Sequence, residues 1–209
     1  METFIFSFIR SFIIFGRNLA GIFNSPYVTY RKLSHEKTYL SQTVFIPLLI
    51  FLYFAFVSTL RSGIKNPFLL TIKFNTLIFF SILGFVMMLA VFVVGGKLLN
   101  IKTQIERLYL LWIYSLVPTL VWFFTTSILY LILPPPRTMT FLGKLYSTVF
   151  ITFSVAVFLW KMILYYLTLR FSLKIDLWKI SQISTLVIPC VIIYSFIMYK
   201  LGIFRIPFL

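Results

Sequence analysis

The sequence predicts an all-α polytopic membrane protein: five transmembrane helices in one bundle, with an amphipathic N-terminal helix lying in the membrane interface. Three observations carry this. The 209 residues are 61% hydrophobic, with a mean hydropathy of +1.02. Charged residues make up 11% of the chain, against about 25% in soluble domains. Five apolar stretches reach the roughly 20 residues that a helix needs to cross a bilayer core. That much apolar surface cannot be hidden in one small water-soluble core. None of the five alternates as a barrel strand would, and all are longer than one. Helices are therefore expected, because backbone groups in lipid must be paired within their own segment.

Residues 1–24 form the first element. In "METFIFSFIRSFIIFGRNLAGIF", Thr3, Ser7, Arg10, Ser11, Arg17 and Asn18 fall on one helical stripe and the rest is mostly Phe and Ile. A wide apolar face with a polar stripe predicts a helix in the plane of the membrane surface; a sixth, poor span or a signal anchor is the alternative. A cleaved signal peptide is not expected, because Arg10 interrupts the apolar run and no small-x-small site follows cleanly. Pro26 should break this helix, and Asn24–Val44 reads as a connector holding a short basic helix. The membrane domain then occupies residues 25–209, with spans at about Leu40–Leu60, Thr76–Val94, Leu108–Leu133 (ending at Pro134–Pro136), Leu145–Leu169 and Ile180–Phe204.

The net charge is +15, from 19 Lys and Arg against 4 Asp and Glu. The cations stand singly or in pairs between apolar runs, where helix ends meet anionic headgroups, so membrane lipids and not nucleic acid are the expected partner. Eleven of them (Arg10, Arg17, Arg31, Lys32, Lys37, Lys97, Lys102, Arg107, Arg170, Lys174, Lys179) lie on one side of the expected topology, against seven (Arg61, Lys65, Lys73, Arg137, Lys144, Lys200, Arg205) on the other. The positive-inside bias predicts a cytoplasmic N-terminus and an extracytoplasmic C-terminus.

Gly95 and Gly96 are expected to end the second span, since glycine tolerates the left-handed backbone of a helix stop and also permits close packing. Lys97 follows at the membrane edge. Leu98, Ile101, Ile105 and Leu108 recur at helical spacing, with Lys102 and Glu106 as an i,i+4 pair, so a short surface helix should lead into the third span. Pro118 removes one backbone bond there and should kink that span, while Tyr114 and Ser115 can offer polar partners to the loosened carbonyls. An apolar helix ending in Gly-Gly-Lys, a polar link, then Tyr-Ser-x-x-Pro inside the next span resembles the Yip1 domain family. "SPYVTYRKL" (Ser25–Leu33) is similar to that family's approach to the first span, and "FLWKMILYYLTLRFSLKIDLWKI" (Phe158–Ile180), with Trp160, to its fourth span and following turn. The resemblance covers Ser25 to Ile203 and implies a five-span membrane protein. Eukaryotic members act in vesicle trafficking through Rab-type GTPases. The long cytoplasmic N-terminal region of those members is not seen here, so that partner is not carried over, and a prokaryotic type of member in the cell membrane is expected.

The groups that could do chemistry are few. Glu2, Glu36, Glu106 and Asp176 all fall outside the spans, His35 is the single histidine and Cys190 the single cysteine. No metal set, acid–base pair, Ser/His/Asp arrangement or phosphate loop is assembled, so neither an enzyme nor a cofactor is expected. Asp176 should cap the last helix. Tyr130, Tyr146, Trp160, Tyr165, Tyr166 and Trp178 lie near span ends, where an aromatic belt is expected. Lys161 stands inside the fourth span. It can snorkel to the headgroups or mark an anion, headgroup or partner site. Two functions follow: a non-enzymatic organiser or helper of other membrane components, with other membrane proteins or itself as partner; or a small transporter, channel or permease subunit with a polar site near Lys161.

Overall fold

The structure, a computed structural model, describes residues 2–35, 40–62, 67–132 and 141–203. Glu36, Lys37, Lys65, Leu133, Pro134–Pro136, Arg137, Phe204 and Arg205 lie outside the described residues, as do the side chains of Glu2, Thr3, Arg61 and Tyr130. Among the described residues all regular structure is helical. The order is α1 (Glu2–Asn24), α2 (Pro26–His35), a 3-10 turn (Leu40–Val44), α3 (Phe45–Ser62), α4 (Pro67–Leu98), α5 (Ile105–Tyr114), α6 (Val117–Ile132), α7 (Phe141–Leu173) and α8 (Leu177–Lys200). Among the described residues, six stretches are long and apolar enough to cross a membrane: Phe6–Asn24, Leu40–Thr59, Thr71–Leu98, Ile105–Leu129, Phe141–Leu173 and Leu177–Lys200.

Helix starts follow local chemistry. Pro26 opens α2 and Pro67 opens α4, the first-turn position where a missing N–H costs nothing. The Gly-Gly pair does not stop α4, contrary to expectation. The helix runs on to Leu98, and Asn100 takes the left-handed turn with φ 55°. Ile101 N–H reaches Gly96 O at 2.9 Å and Asn100 N–H reaches Lys97 O at 3.0 Å, the paired bonds of a Schellman stop. Gly202 ends α8 in the same way, with φ 70°.

Two further expectations change. The surface helix foreseen around Leu98–Leu108 does not form: residues 101–104 have no regular structure and α5 begins at Ile105. Lys102 therefore has no helical register with Glu106. The third span is not one kinked helix but two, α5 and α6, separated at Ser115 and Leu116. The Pro118 ring would collide with the carbonyl four residues back, so α5 ends at Tyr114 and the proline sits in the first turn of α6.

α3 begins, α4 ends, α5 begins, α7 ends and α8 begins at one end of the bundle, called here the near end. α1 and α2 pack there too, α1 on α2 and the 3-10 turn, α2 on α5 and α7. The main core gathers at this end around Leu108–Tyr114, with Phe92, Leu164 and Ile183. A smaller core of Tyr53, Phe54, Val57 and Phe123 lies toward the other end, where Tyr53 stacks on Phe123 at 5.2 Å and its hydroxyl meets Ser127 Oγ at 3.0 Å. The outer faces of α7 and α8 are lined with Leu145, Val149, Phe158, Ile188 and Ile192, all exposed, as hydrocarbon contact requires.

Candidate functional site

The break between α5 and α6 frees backbone groups in the most buried part of the molecule, and a polar junction forms around them. Ser115 Oγ donates to Trp112 O at 2.6 Å. Ser115 N–H and Leu116 N–H close the last turn of α5 on Trp112 O and Ile113 O at 3.0 and 3.2 Å. Leu111 O accepts from Tyr30 Oη on α2 and from Thr168 Oγ1 on α7, each at 3.3 Å. Gln42 Oε1 in the 3-10 turn accepts from Asn18 Nδ2 on α1 at 2.7 Å and from Tyr114 Oη at 2.9 Å. Ser11 and Ser41 share a hydroxyl contact at 2.7 Å. Five elements are thus stitched together by neutral groups.

Burial makes these bonds count. Asn18 and Gln42 are each 3% exposed, and Tyr30 and Tyr114 are fully enclosed. An unpaired polar group in such a place costs about 1–3 kcal/mol. Burial also pushes the Tyr30 hydroxyl well above the ordinary phenol range, so it stays a neutral donor.

The structure sorts the residues singled out in the sequence. Tyr114 and Ser115 lie in the junction, with Pro118 one turn beyond. Ser115 Oγ bonds the carbonyl of Trp112, whereas Tyr114 turns to Gln42. Gly95 and Gly96 serve close packing: a Cβ on Gly95 would meet Ile183 on α8 at 3.3 Å, and one on Gly96 would meet Thr103 Oγ1 at 2.6 Å. Lys97 is exposed at the near end. Trp160 packs on Phe23 of α1 at 4.8 Å, and Lys161 is half-buried on α7. These residues therefore divide among three seams, α1/α5, α4/α8 and α1/α7, and do not form one pocket.

Several groups behave otherwise than their pattern implied. The polar stripe of α1 is split, with Ser11 and Asn18 turned into the bundle while Ser7, Arg10 and Arg17 face out. Tyr165 and Tyr146, expected in the aromatic belt, bond to Ser184 Oγ at 3.0 Å and Leu129 O at 2.6 Å; Trp178 is exposed. Asp176 occupies the N-cap position of α8 without a side-chain cap bond. Tyr30 and Thr168 were not singled out. The sequence signal is slight: Thr168 is one hydroxyl in an apolar run, and Tyr30 one within a short basic stretch.

Two cavities flank the junction. One, of about 470 Å³, lies between α3, α4 and α5; the other, of about 280 Å³, lies between α1, α3 and α6. Both have largely hydrocarbon walls. Among the described residues no cluster of three His, Cys, Asp or Glu could hold a metal ion. In comparisons with known proteins, no family model, no curated protein and no solved structure matches the chain.

Proposed function

We propose that this chain is a five-span, Yip1-like integral membrane protein that does no chemistry of its own and organises or assists other membrane components through helix and lipid contacts. One observation carries the reading. The polar side chains of the junction are neutral and bond to one another or to backbone carbonyls, while Arg10, Arg31, Lys32, Lys97, Lys102, Arg170, Lys174 and Lys179 face outward. The inside is a structural lock and the outside is a cationic, lipid-facing surface. Tyr114 and Ser115, the residues that carry the family resemblance, lie at the centre of that lock. Lys161 lines neither of the two cavities that flank the junction.

In this reading α1 lies on the near-end surface and does not cross. Arg10 and Arg17 are exposed along its middle, and an Arg at mid-bilayer costs about 2.5–3.5 kcal/mol even on insertion scales. The near end is the cytoplasmic face of a prokaryotic cell membrane, and the C-terminus lies outside. Cysteines placed at Ser7 and Lys32 should then react with an impermeant reagent from one side, and a cysteine at Lys144 from the other. Labelling of Ser7 and Lys32 from opposite sides would sink the five-span topology.

The function itself is tested by mild-detergent capture of the tagged protein from its native membrane, with mass spectrometry of what accompanies it. A stoichiometric membrane-protein partner, or a defined self-assembly with anionic lipid, is expected. Substrate-dependent flux from liposomes holding the protein alone would overturn the reading in favour of a transporter or channel.

A further inference from the structure

Between α3, α4 and α5 the near-end half of the bundle does not close. The resulting cavity of about 470 Å³ is walled by Ile50 and Phe54 of α3, Phe85 and Leu89 of α4, and Tyr109 and Ile113 of α5. Along α4 the wall runs from Ile78 to Leu89, about 16 Å at the helical rise. The shape is thus a slot along the bundle and not a round chamber. Its volume falls within the ~300–1,000 Å³ range of ligand sites.

Ser81 keeps the slot open. It is 6% exposed and lies on the wall. Thr76, Ser154 and Ser184 each donate a hydroxyl to the carbonyl four residues earlier, but Ser81 Oγ has no hydrogen-bond partner. A buried hydroxyl without a bond is a cost. What serine supplies at this point is small size, where leucine or phenylalanine would fill the space.

A dry apolar slot takes an apolar guest, and in a bilayer the guest at hand is a hydrocarbon chain. The rim says which lipid. Lys97 lies eleven residues, three turns, beyond Val86 of the wall, and so on the same face of α4. Lys102 stands in the loop ahead of α5, whose Tyr109 and Ile113 form the opposite wall. Both lysines are exposed, Arg107 is half-buried nearby on α5, and Glu106 is the single acid on this stretch. The balance is cationic.

We infer that the α3/α4/α5 slot holds one acyl chain of an anionic membrane lipid, with the headgroup held at Lys97 and Lys102. This rests on the lipid-contact reading above. It gives that reading one defined site.

The test uses the purified full chain in nanodiscs of mixed phosphatidylglycerol and phosphatidylcholine, the glycerol lipid carrying a photoreactive diazirine on its acyl chain. Labelling should concentrate on peptides of α3, α4 and α5 around Phe54, Leu89 and Ile113. Ser81→Phe should lower label in those peptides several-fold. Leu89→Trp fills the slot from another turn of α4 and serves if the first variant does not fold. A Lys97→Gln, Lys102→Gln pair should remove the preference for phosphatidylglycerol over an identically labelled phosphatidylcholine. Label spread evenly over the exposed face of α7, unchanged label in a folded filled variant, or equal capture of both lipids by the unaltered protein would each overturn the proposal. No partner protein is present, so these outcomes are independent of the capture experiment.

Discussion

Two stretches of this chain have similar mean hydropathy and opposite surroundings. Within Ile105–Leu129, in α5 and α6, an apolar 18-residue window has a mean hydropathy of 1.6 and is 72% buried inside the protein. The corresponding window within Phe141–Leu173, in α7, has 1.9 and is 11% buried. Both would dissolve in lipid, but only one faces it. The difference lies in continuity. α7 is an unbroken helix that satisfies its own backbone and needs nothing from its neighbours except packing. α5 and α6 are interrupted, so the interruption must sit where other elements can supply hydrogen bonds. Hydropathy measures compatibility with an apolar medium, while the break decides which apolar medium is used.

If that is right, damage to the supply of hydrogen bonds should cost most. The largest effect is expected from Gln42→Leu. It removes the acceptor shared by Asn18 and Tyr114 and leaves two buried donors, each worth about 1–3 kcal/mol when unpaired. Thermal unfolding in mild detergent should show a clear fall in midpoint, together with protease sensitivity in α1. An unchanged midpoint would show that the junction does not hold the broken helix in place. Next comes Gly95→Leu, which pushes against the β-branched Ile183. Overpacking of this kind costs about 1–3 kcal/mol, and the same assay reads it. A smaller loss, about 1 kcal/mol, is expected for Tyr114→Phe. There Gln42 keeps its bond from Asn18 and no buried donor is stranded.

How far the sequence announced this arrangement depends on the range of the cause. Composition and run length mark the apolar helices, because lipid solubility is a local property. Pro26 and Pro118 mark breaks for equally local steric reasons. The stop at Asn100 was masked by Gly95 and Gly96, whose smallness serves contact with Ile183 and Thr103 instead; only the fold reveals which demand applies. The ends of α4 and α7 were underestimated, since backbone bonding continues beyond the hydrocarbon core into residues such as Lys73 and Lys144. The junction was least legible. Asn18, Gln42, Tyr30 and Thr168 each look like ordinary helix glue, and nothing in the chain says that Asn18 meets Gln42 or that Tyr30 and Thr168 meet at the carbonyl of Leu111. Contacts such as Tyr30 with Leu111, 81 residues apart, follow from tertiary folding alone.

The comparison is sharpened most by a substitution that should do almost nothing. Ile151 on α7 is as apolar as any residue of α5, and it is 61% exposed. Ile151→Ala deletes three carbons, a change that in a core costs about 2–5 kcal/mol through lost contacts and the void left behind. On a lipid-facing surface no void forms, because acyl chains flow into the space, and the apolar group lost was never removed from an apolar medium. The expected change is within about 0.5 kcal/mol. Leu111→Ala, in the buried stretch, deletes a similar volume and should cost the full core penalty, since Leu111 is entirely enclosed and its own carbonyl anchors Tyr30 and Thr168. Measured side by side in the same detergent, the two variants should differ by most of the core cost. Equal losses would mean that α7 is covered by protein, such as a second copy of the chain, and would move the boundary between inside and outside that separates these two helices.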